Sequence, residues 1–462
     1  MKHCLCRTAA RHRQEGVATL IVVMVLFFVM SLVAAYTNRN LIFEQRTSAN
    51  QYRSTQALEA AEAGVEWAVS MLNFGRITAA CARSTSTADT SFRGRYLVID
   101  DASGKITPAP NPAGGALTPV CVWNSSTWSW SCDCPATGAA VPTLPTTTAT
   151  APAFRVRFRP VLDEPIGSGI PRQPGVVWVQ VVGCTRYEAS AGAHCLSFDG
   201  SGSINEGRVV VSQMLALGGS AVGLPQAALT ARGSVNVDAP GSLSVYNTAA
   251  TASGLTVHAA GAVQNTGTGT LVLRSTPGTP DDASKVAGDG DLNLALLTPF
   301  SATDRMFASI FNLHPDNFRA QQAAVELTCA STGCTAAEVR DAASLNPGRP
   351  LWLTGGLDAD SLGDIGSPNS PVLLVINGDL RFNVSGVTVH GLVYSKLPPT
   401  GSTSGWVTGG TAGGRINGAV VSEGNVSGNG VATITYDPDV LRRVRQGIGS
   451  FVRVPGSWRD FQ

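Results

Sequence analysis

The sequence predicts an α+β protein: one long amino-terminal helix, an antiparallel β head, then a mainly-β, glycine-rich region carrying a small helical insertion. The prediction rests first on an uncharged apolar run near the start that continues into a proline-free, helix-periodic segment. It rests next on composition. Glycine supplies 50 of 462 residues, and charged residues make up 14% where an ordinary soluble domain holds about 25%. Short strand patterns follow Gly75, and over Ala221–Ser275 and Leu351–Tyr436 short β-branched runs alternate with glycine or asparagine turns. Thirty-three basic against 32 acidic residues leave a net charge of +1, so no overall field draws the chain to nucleic acid. The same composition argues against a coiled coil, a multi-span membrane protein and a charge-driven disordered chain. The length suits about three domains.

Residues 1–16 read as a basic leader, with Lys2, Arg7, Arg11 and Arg13 against Glu15 alone. Val17 to Ala35 then carries no charge, and at 1.5 Å per residue spans about 28 Å, the thickness of a bilayer core. The basic flank predicts a cytoplasmic start, a single crossing and the remainder outside. Three readings compete for this run: a secretory signal cut before Tyr36, an uncleaved anchor, or a cut at Gly16–Val17 that leaves the apolar helix on the mature protein.

The segment after the apolar run favours the third reading. From Asn38 to Phe74 there is no proline, and Gly64 is the only glycine. Leu41, Ala49, Tyr52, Ala60, Ala63, Trp67 and Met71 recur at helical spacing, opposite Glu44, Arg46, Arg53, Glu59, Glu62 and Glu66. One helix is therefore expected over residues 17–74. A secretory signal has no reason to be followed by it.

The leader RQEG, the apolar run and the segment QALEAAEAGVEWA (Gln56 to Ala68) resemble the amino-terminal domain of PilX-type minor pilins of type IV pili. The large K-type minor pseudopilins of secretion systems are similar. The resemblance implies cleavage after Gly16 by prepilin peptidase, N-methylation of Val17, and packing of the apolar helix against neighbouring subunits. Major pilins carry a glutamate at the fifth mature position, whereas this chain has Ile21 there. A charged amino terminus buried among apolar helices would find no carboxylate from this subunit, which is costly. The chain is thus a poor repeating unit and suits a tip or priming position.

Cys4 and Cys6 lie in the leader, and eight cysteines come after it: Cys81, Cys121, Cys132, Cys134, Cys184, Cys195, Cys329 and Cys334. An even number on the exported side reads as a disulfide framework. Cys184 with Cys195, and Cys329 with Cys334, are the local pairings expected; the other four would form two further bridges. A zinc site is the rival, disfavoured because Cys132-x-Cys134 is not the usual pair spacing and no histidine is near.

Residues 75–219 read as a disulfide-containing, pilin-like β domain, with alternation in Phe154–Phe158, Val176–Val182 and Val209–Leu217 around an exposed proline- and threonine-rich loop at Thr137–Pro152. Residues 220–462 repeat short steps such as GSVNV, GLTVH and PVLLVI, predicting a short β-solenoid over a β-sandwich. Within it, residues 299–347 look helical, with a capping box at Thr335–Glu338, and 437–462 look like a terminal cap opening at Asp437-Pro438. A basic docking patch at Arg442, Arg443 and Arg445 is the lesser reading of that helix.

Signals for chemistry are thin. Neither G-x-S-x-G nor H-E-x-x-H occurs, and His258 and His390 sit in strand patterns with no marked nucleophile. Clustered aspartates (Asp358, Asp360, Asp364; Asp281, Asp282, Asp289, Asp291) could serve glycan cleavage, or hold calcium at Asp289 and Asp291, or simply occupy solvated turns. No enzyme and no cofactor are expected, calcium being the one candidate ion. The expected function is that of a minor pilin that primes or caps a type IV pilus. The head would be periplasmic in the inner-membrane precursor, then at the cell surface. Its implied partners are prepilin peptidase, other minor pilins, the major pilin, the inner-membrane assembly platform and a tip adhesin. A surface-ligand-binding module, of glycan or host ligand, and a membrane-anchored polysaccharide-active enzyme are the alternatives.

Overall fold

The computed structural model describes residues 15–138, 151–163, 166–167, 173–187, 194–198, 207–249, 251, 253–275, 286–288, 302–330, 333–378, 380–382, 386–396, 404–408 and 413–460. Helix α1 (Glu15–Leu72) is continuous over 58 residues, about 87 Å of rise. Most of it stands clear of the rest: residues 18–55 are exposed throughout, and only the last turns pack.

They pack on a six-stranded antiparallel sheet whose spatial order is Gly449–Arg453, Arg208–Gly219, Val176–Tyr187, Ala151–Pro160, Val120–Asn124 and Ser129–Asp133. Period-2 alternation decides the faces. Phe154, Val156 and Phe158 turn to the helix with Val179, Val181 and Leu215, while Arg155, Arg157 and Arg159 turn away. Trp67 of α1 meets Phe154 at 5.6 Å and, edge-on at 5.3 Å, Phe92 of the short helix α2 (Phe92–Tyr96). Phe154, Val156, Val179, Val181, Leu215 and Phe92 are fully buried, and each such side chain contributes about 1.5–3 kcal/mol.

From Leu229 to Tyr436 every described strand pair is parallel. These parallel pairs disfavour the β-sandwich expected as the rival for this region. Strands repeat in threes along the chain, Leu229–Ala231, Val235–Val237 and Ser242–Tyr246 being followed by Val257–Ala259, Val263–Asn265 and Thr270–Arg274, and each stacks in register on its counterpart. The order in the stack is not the order in the chain. Leu229–Ala231 pairs with the end of Gly413–Ser422, Val235–Val237 with Asn425–Gly428, and Ser242–Tyr246 with Val431–Tyr436. The two glycine-rich blocks therefore join edge to edge, with Leu229, Val235, Leu243, Val420, Val426 and Ile434 sharing one core.

Gly391 and Gly418 lie opposite each other at bends of adjacent strands, with φ of 153° and 139°. A Cβ on Gly391 would stand 1.8 Å from the Val372 carbonyl oxygen, and one on Gly418 1.9 Å from that of Gly391. Only glycine fits such a stacked corner.

Two expectations for this region need correction. Residues 299–347 are not wholly helical. Among the described residues, helices α3 (Ala302–Phe311) and α4 (Pro315–Arg319) are separated from α5 (Ala336–Leu345) by strands Val325–Thr328 and Cys334–Thr335, both paired into the stack. The capping box is present, the Thr335 hydroxyl accepting from Glu338 N and the Glu338 carboxylate from Thr335 N. Nor does the last helix, α6 (Pro438–Gly447), close an end of the stack. It is capped by Asp437 and lies across strands Thr388–Lys396 and Gly413–Ser422, where Leu441 and Val444 join Phe307, Phe311 and Phe318 over Trp352, Leu373, Val375 and Tyr394. That layer explains the unbroken VLLVI run: its strand is buried on both faces. The strand after α6, Gly449–Arg453, then enters the antiparallel sheet beside Arg208–Gly219.

Candidate functional site

The surface that stands out is helix α1 itself. Among the described residues it is the one helix long and apolar enough to cross a membrane. Leu20 to Val33 carry nothing over them, Phe27 being 72% and Ile21 56% exposed. Such a surface has no stable state in water. Gly16 and Val17 lie within the helix, whereas residues 1–14 of the leader fall outside the described residues.

The stripe that packs is the lower part of the one expected, widened. Leu41, Ala49 and Tyr52 are exposed; Ala60 and Met71 are buried, joined by Ala57, Ala61, Val65, Ala68, Val69 and Leu72, with Glu59, Glu62 and Glu66 facing out. Small residues win because backbone meets backbone. A Cβ on Gly183 would lie 2.3 Å from the Ala57 carbonyl oxygen and 2.5 Å from Ala61 N. Gly64 of the helix is equally tight against Val181 and Phe154.

Two polar residues that sequence reading did not single out lock the helix end. Asn73 Nδ2 donates to the Phe451 carbonyl at 2.9 Å, and Phe451 N donates to Asn73 Oδ1 at 2.7 Å. Arg93 is buried. Its guanidinium donates to the carbonyls of Leu72 (3.3 Å), Gly348 (2.8 Å), Gly447 (3.1 Å) and Gly449 (2.7 Å), tying α1, the loop after α5, α6 and the last strand together. Burial, reinforced by nearby Arg349, lowers it to about 9, so it keeps its charge at neutral pH. No local motif marks either residue, because every partner named here except Leu72 is hundreds of positions away.

The cysteines pair Cys81–Cys134, Cys121–Cys132, Cys184–Cys195 and Cys329–Cys334, with Cα–Cα distances of 5.3, 4.1, 5.9 and 4.6 Å. All eight are thus engaged, and none is left to ligate zinc.

The aspartates do not converge. Asp360 accepts from Ala336 N at 3.4 Å and Asp364 from Thr388 N at 3.2 Å, which makes them turn and corner acceptors. His390 Nε2 lies 3.9 Å from Asp364, the histidine being buried on its strand. Among the described residues no three potential metal ligands cluster. Asp281, Asp282, Asp289 and Asp291, including the calcium candidates, lie outside the described residues. Arg443 of α6 is held by Asp101 at 2.7 Å and the Pro368 carbonyl, so it serves within the molecule.

Comparison with known families matches residues 15–66 to the model described as PilX N-terminal. A search of curated proteins gave no match. The matched segment spans the bare apolar helix and the start of its docking half, and that family points to a structural pilus component anchored by a single helix. Over that domain, and over the helix it describes, this chain is similar to the amino-terminal domain of PilX-type pilins.

Proposed function

We propose that this protein is a minor pilin that primes assembly of, or caps the tip of, a type IV pilus after prepilin peptidase cuts between Gly16 and Val17. The observation that carries the reading is the length of uncovered apolar helix. Residues 18–55, about 57 Å, project from a head whose own core is complete. Lipid covers this surface in the precursor, and the helices of other pilins replace lipid in the filament. The apolar Ile21 supports a terminal position, since this subunit offers no carboxylate to a neighbour's charged amino terminus. The head supports it as well, being large and stapled by four disulfides. Its parallel, in-register strands favour a short β-solenoid as the displayed part.

The amino-terminal sequence and intact mass of the mature protein, with and without prepilin peptidase, test the reading. Peptidase-dependent methylated Val17 supports it. A start at Tyr36 overturns it.

A further inference from the structure

The face of the antiparallel sheet that turns away from α1 carries a groove of about 530 Å³ whose lining includes Arg157, Arg159, Trp178, Gln180, Ser212 and Arg459. Strand register orders these side chains. Arg157 pairs with Gln180, Gln180 with Ser212, and Ser212 bridges to Arg459, so one row crosses four chain segments, about 14 Å. Arg159 and Trp178 form the next row on the same face, about 7 Å along. The row is held in place. Arg157 Nε donates to Gln180 Oε1 at 2.6 Å over the Phe198 ring, and Arg459 lies 5.0 Å from the Trp178 ring centre. Among the described residues the groove lining holds three guanidiniums and no carboxylate, and no ion pair engages Arg159 or Arg459.

We infer that this groove binds a segment of an acidic polysaccharide, a ligand beyond the assembly role. Charge complementarity selects an anion, and cations spread over about 14 Å match repeated carboxylates along an extended chain rather than one phosphate. Gln180 and Ser212 supply neutral hydrogen-bonding groups between the cations. Nucleic acid is disfavoured because Arg459 already covers the Trp178 ring where a base would stack. A lipid surface is disfavoured by position. Gly183 lies against Ala57 and Ala61 and Gly207 against Arg53, whereas Leu217 pairs with Phe451 beside Asn73. Trp178, between Gly183 and the Leu217 end, therefore sits toward the end of the sheet farther from the membrane span.

The test uses the full-length protein in detergent micelles without divalent cations, with polygalacturonate, neutral dextran and a single-stranded oligonucleotide as separate probes. Polygalacturonate is expected to bind and to weaken steeply as salt rises from about 50 to about 300 mM. Arg159→Glu and Arg459→Glu should each weaken it about fivefold or more at an unchanged melting temperature, while Arg159→Lys retains binding. Should either glutamate variant melt early, Arg159→Gln is expected to show the same loss. Equal binding of dextran or of the oligonucleotide, no binding of polygalacturonate, or unaltered binding by the variants overturns the inference.

Discussion

Asn73, the first residue beyond helix α1, holds both backbone groups of Phe451, 378 positions later, through hydrogen bonds of 2.9 and 2.7 Å. The pair fastens the exit of the assembly helix to the last strand of the antiparallel sheet. Pulling force along a filament would load this junction, together with the buried Arg93 beside it.

Asn73→Ala is therefore expected to cost about 1–3 kcal/mol, because it leaves a buried amide and carbonyl of Phe451 without partners. Chemical denaturation of the purified protein measures this. A midpoint within error of the parent would show that the contact is replaceable by water.

Gly183→Val should be at least as damaging. Its Cβ would enter the space of the Ala57 carbonyl oxygen, 2.3 Å away, and overpacking of this kind costs about 1–3 kcal/mol. The substitution should lower the melting temperature and release α1 from the sheet, readable as faster hydrogen exchange over residues 57–72. Gly167→Val, where none of the described residues lies within 4 Å, is the control for a glycine replacement, expected to show only its local backbone strain at φ +83°.

Ile21→Glu tests the terminal position. It supplies the carboxylate that a neighbour's amino terminus lacks, so more copies should enter sheared filaments, counted by mass spectrometry relative to the major subunit. An unchanged copy number would mean that head size or another contact, not residue 21, limits incorporation.

The long-range disulfide should outweigh the local one. Cys81–Cys134 closes a separation of 53 residues and Cys184–Cys195 one of 11. Loop-closure entropy assigns about 4 kcal/mol to the first and about 2.8 kcal/mol to the second. Double serine variants compared in denaturant check that order.

Alkaline pH should unfold the protein through buried phenols. Tyr394 is raised well above the ordinary tyrosine value by burial and then by Glu423, which accepts its hydroxyl at 2.7 Å; burial raises Tyr96 too. The native state keeps these protons after the unfolded chain has released them, so the stability they provide is complete below about pH 10 and falls as pH climbs beyond it. Tyrosinate absorbance should rise together with unfolding, and Tyr394→Phe should flatten the alkaline loss. Normal titration of every tyrosine in the folded state would contradict this.

Much of the molecule was legible from local pattern. A proline-free periodic segment can only be a helix, and its uncharged first half announces a surface that needs lipid or other helices. Alternation in Phe154–Phe158 told which side chains face inward, because strand side chains alternate whatever their partners. Thr335–Glu338 and Asp437-Pro438 marked helix starts, since caps act within one turn.

Partnership between distant segments was the tertiary structure's decision. Glycine-rich strands offer the same backbone edge wherever they lie, so nothing local tells Leu229–Ala231 to pair with Gly413–Ser422, or sends Gly449–Arg453 back to the antiparallel sheet. The helix stripe lost Leu41 and Tyr52 and gained Ala57 and Ala61 for a related reason. How close two backbones come depends on both surfaces, and Gly183 belongs to a strand the helix meets only in the fold. Sequence by itself determined α1, the alternating strands and the capped helix starts, and the need for an apolar environment around α1. Only tertiary packing determined their neighbours, because hydrogen-bonding edges and small-residue contacts carry no address until the chain brings them together.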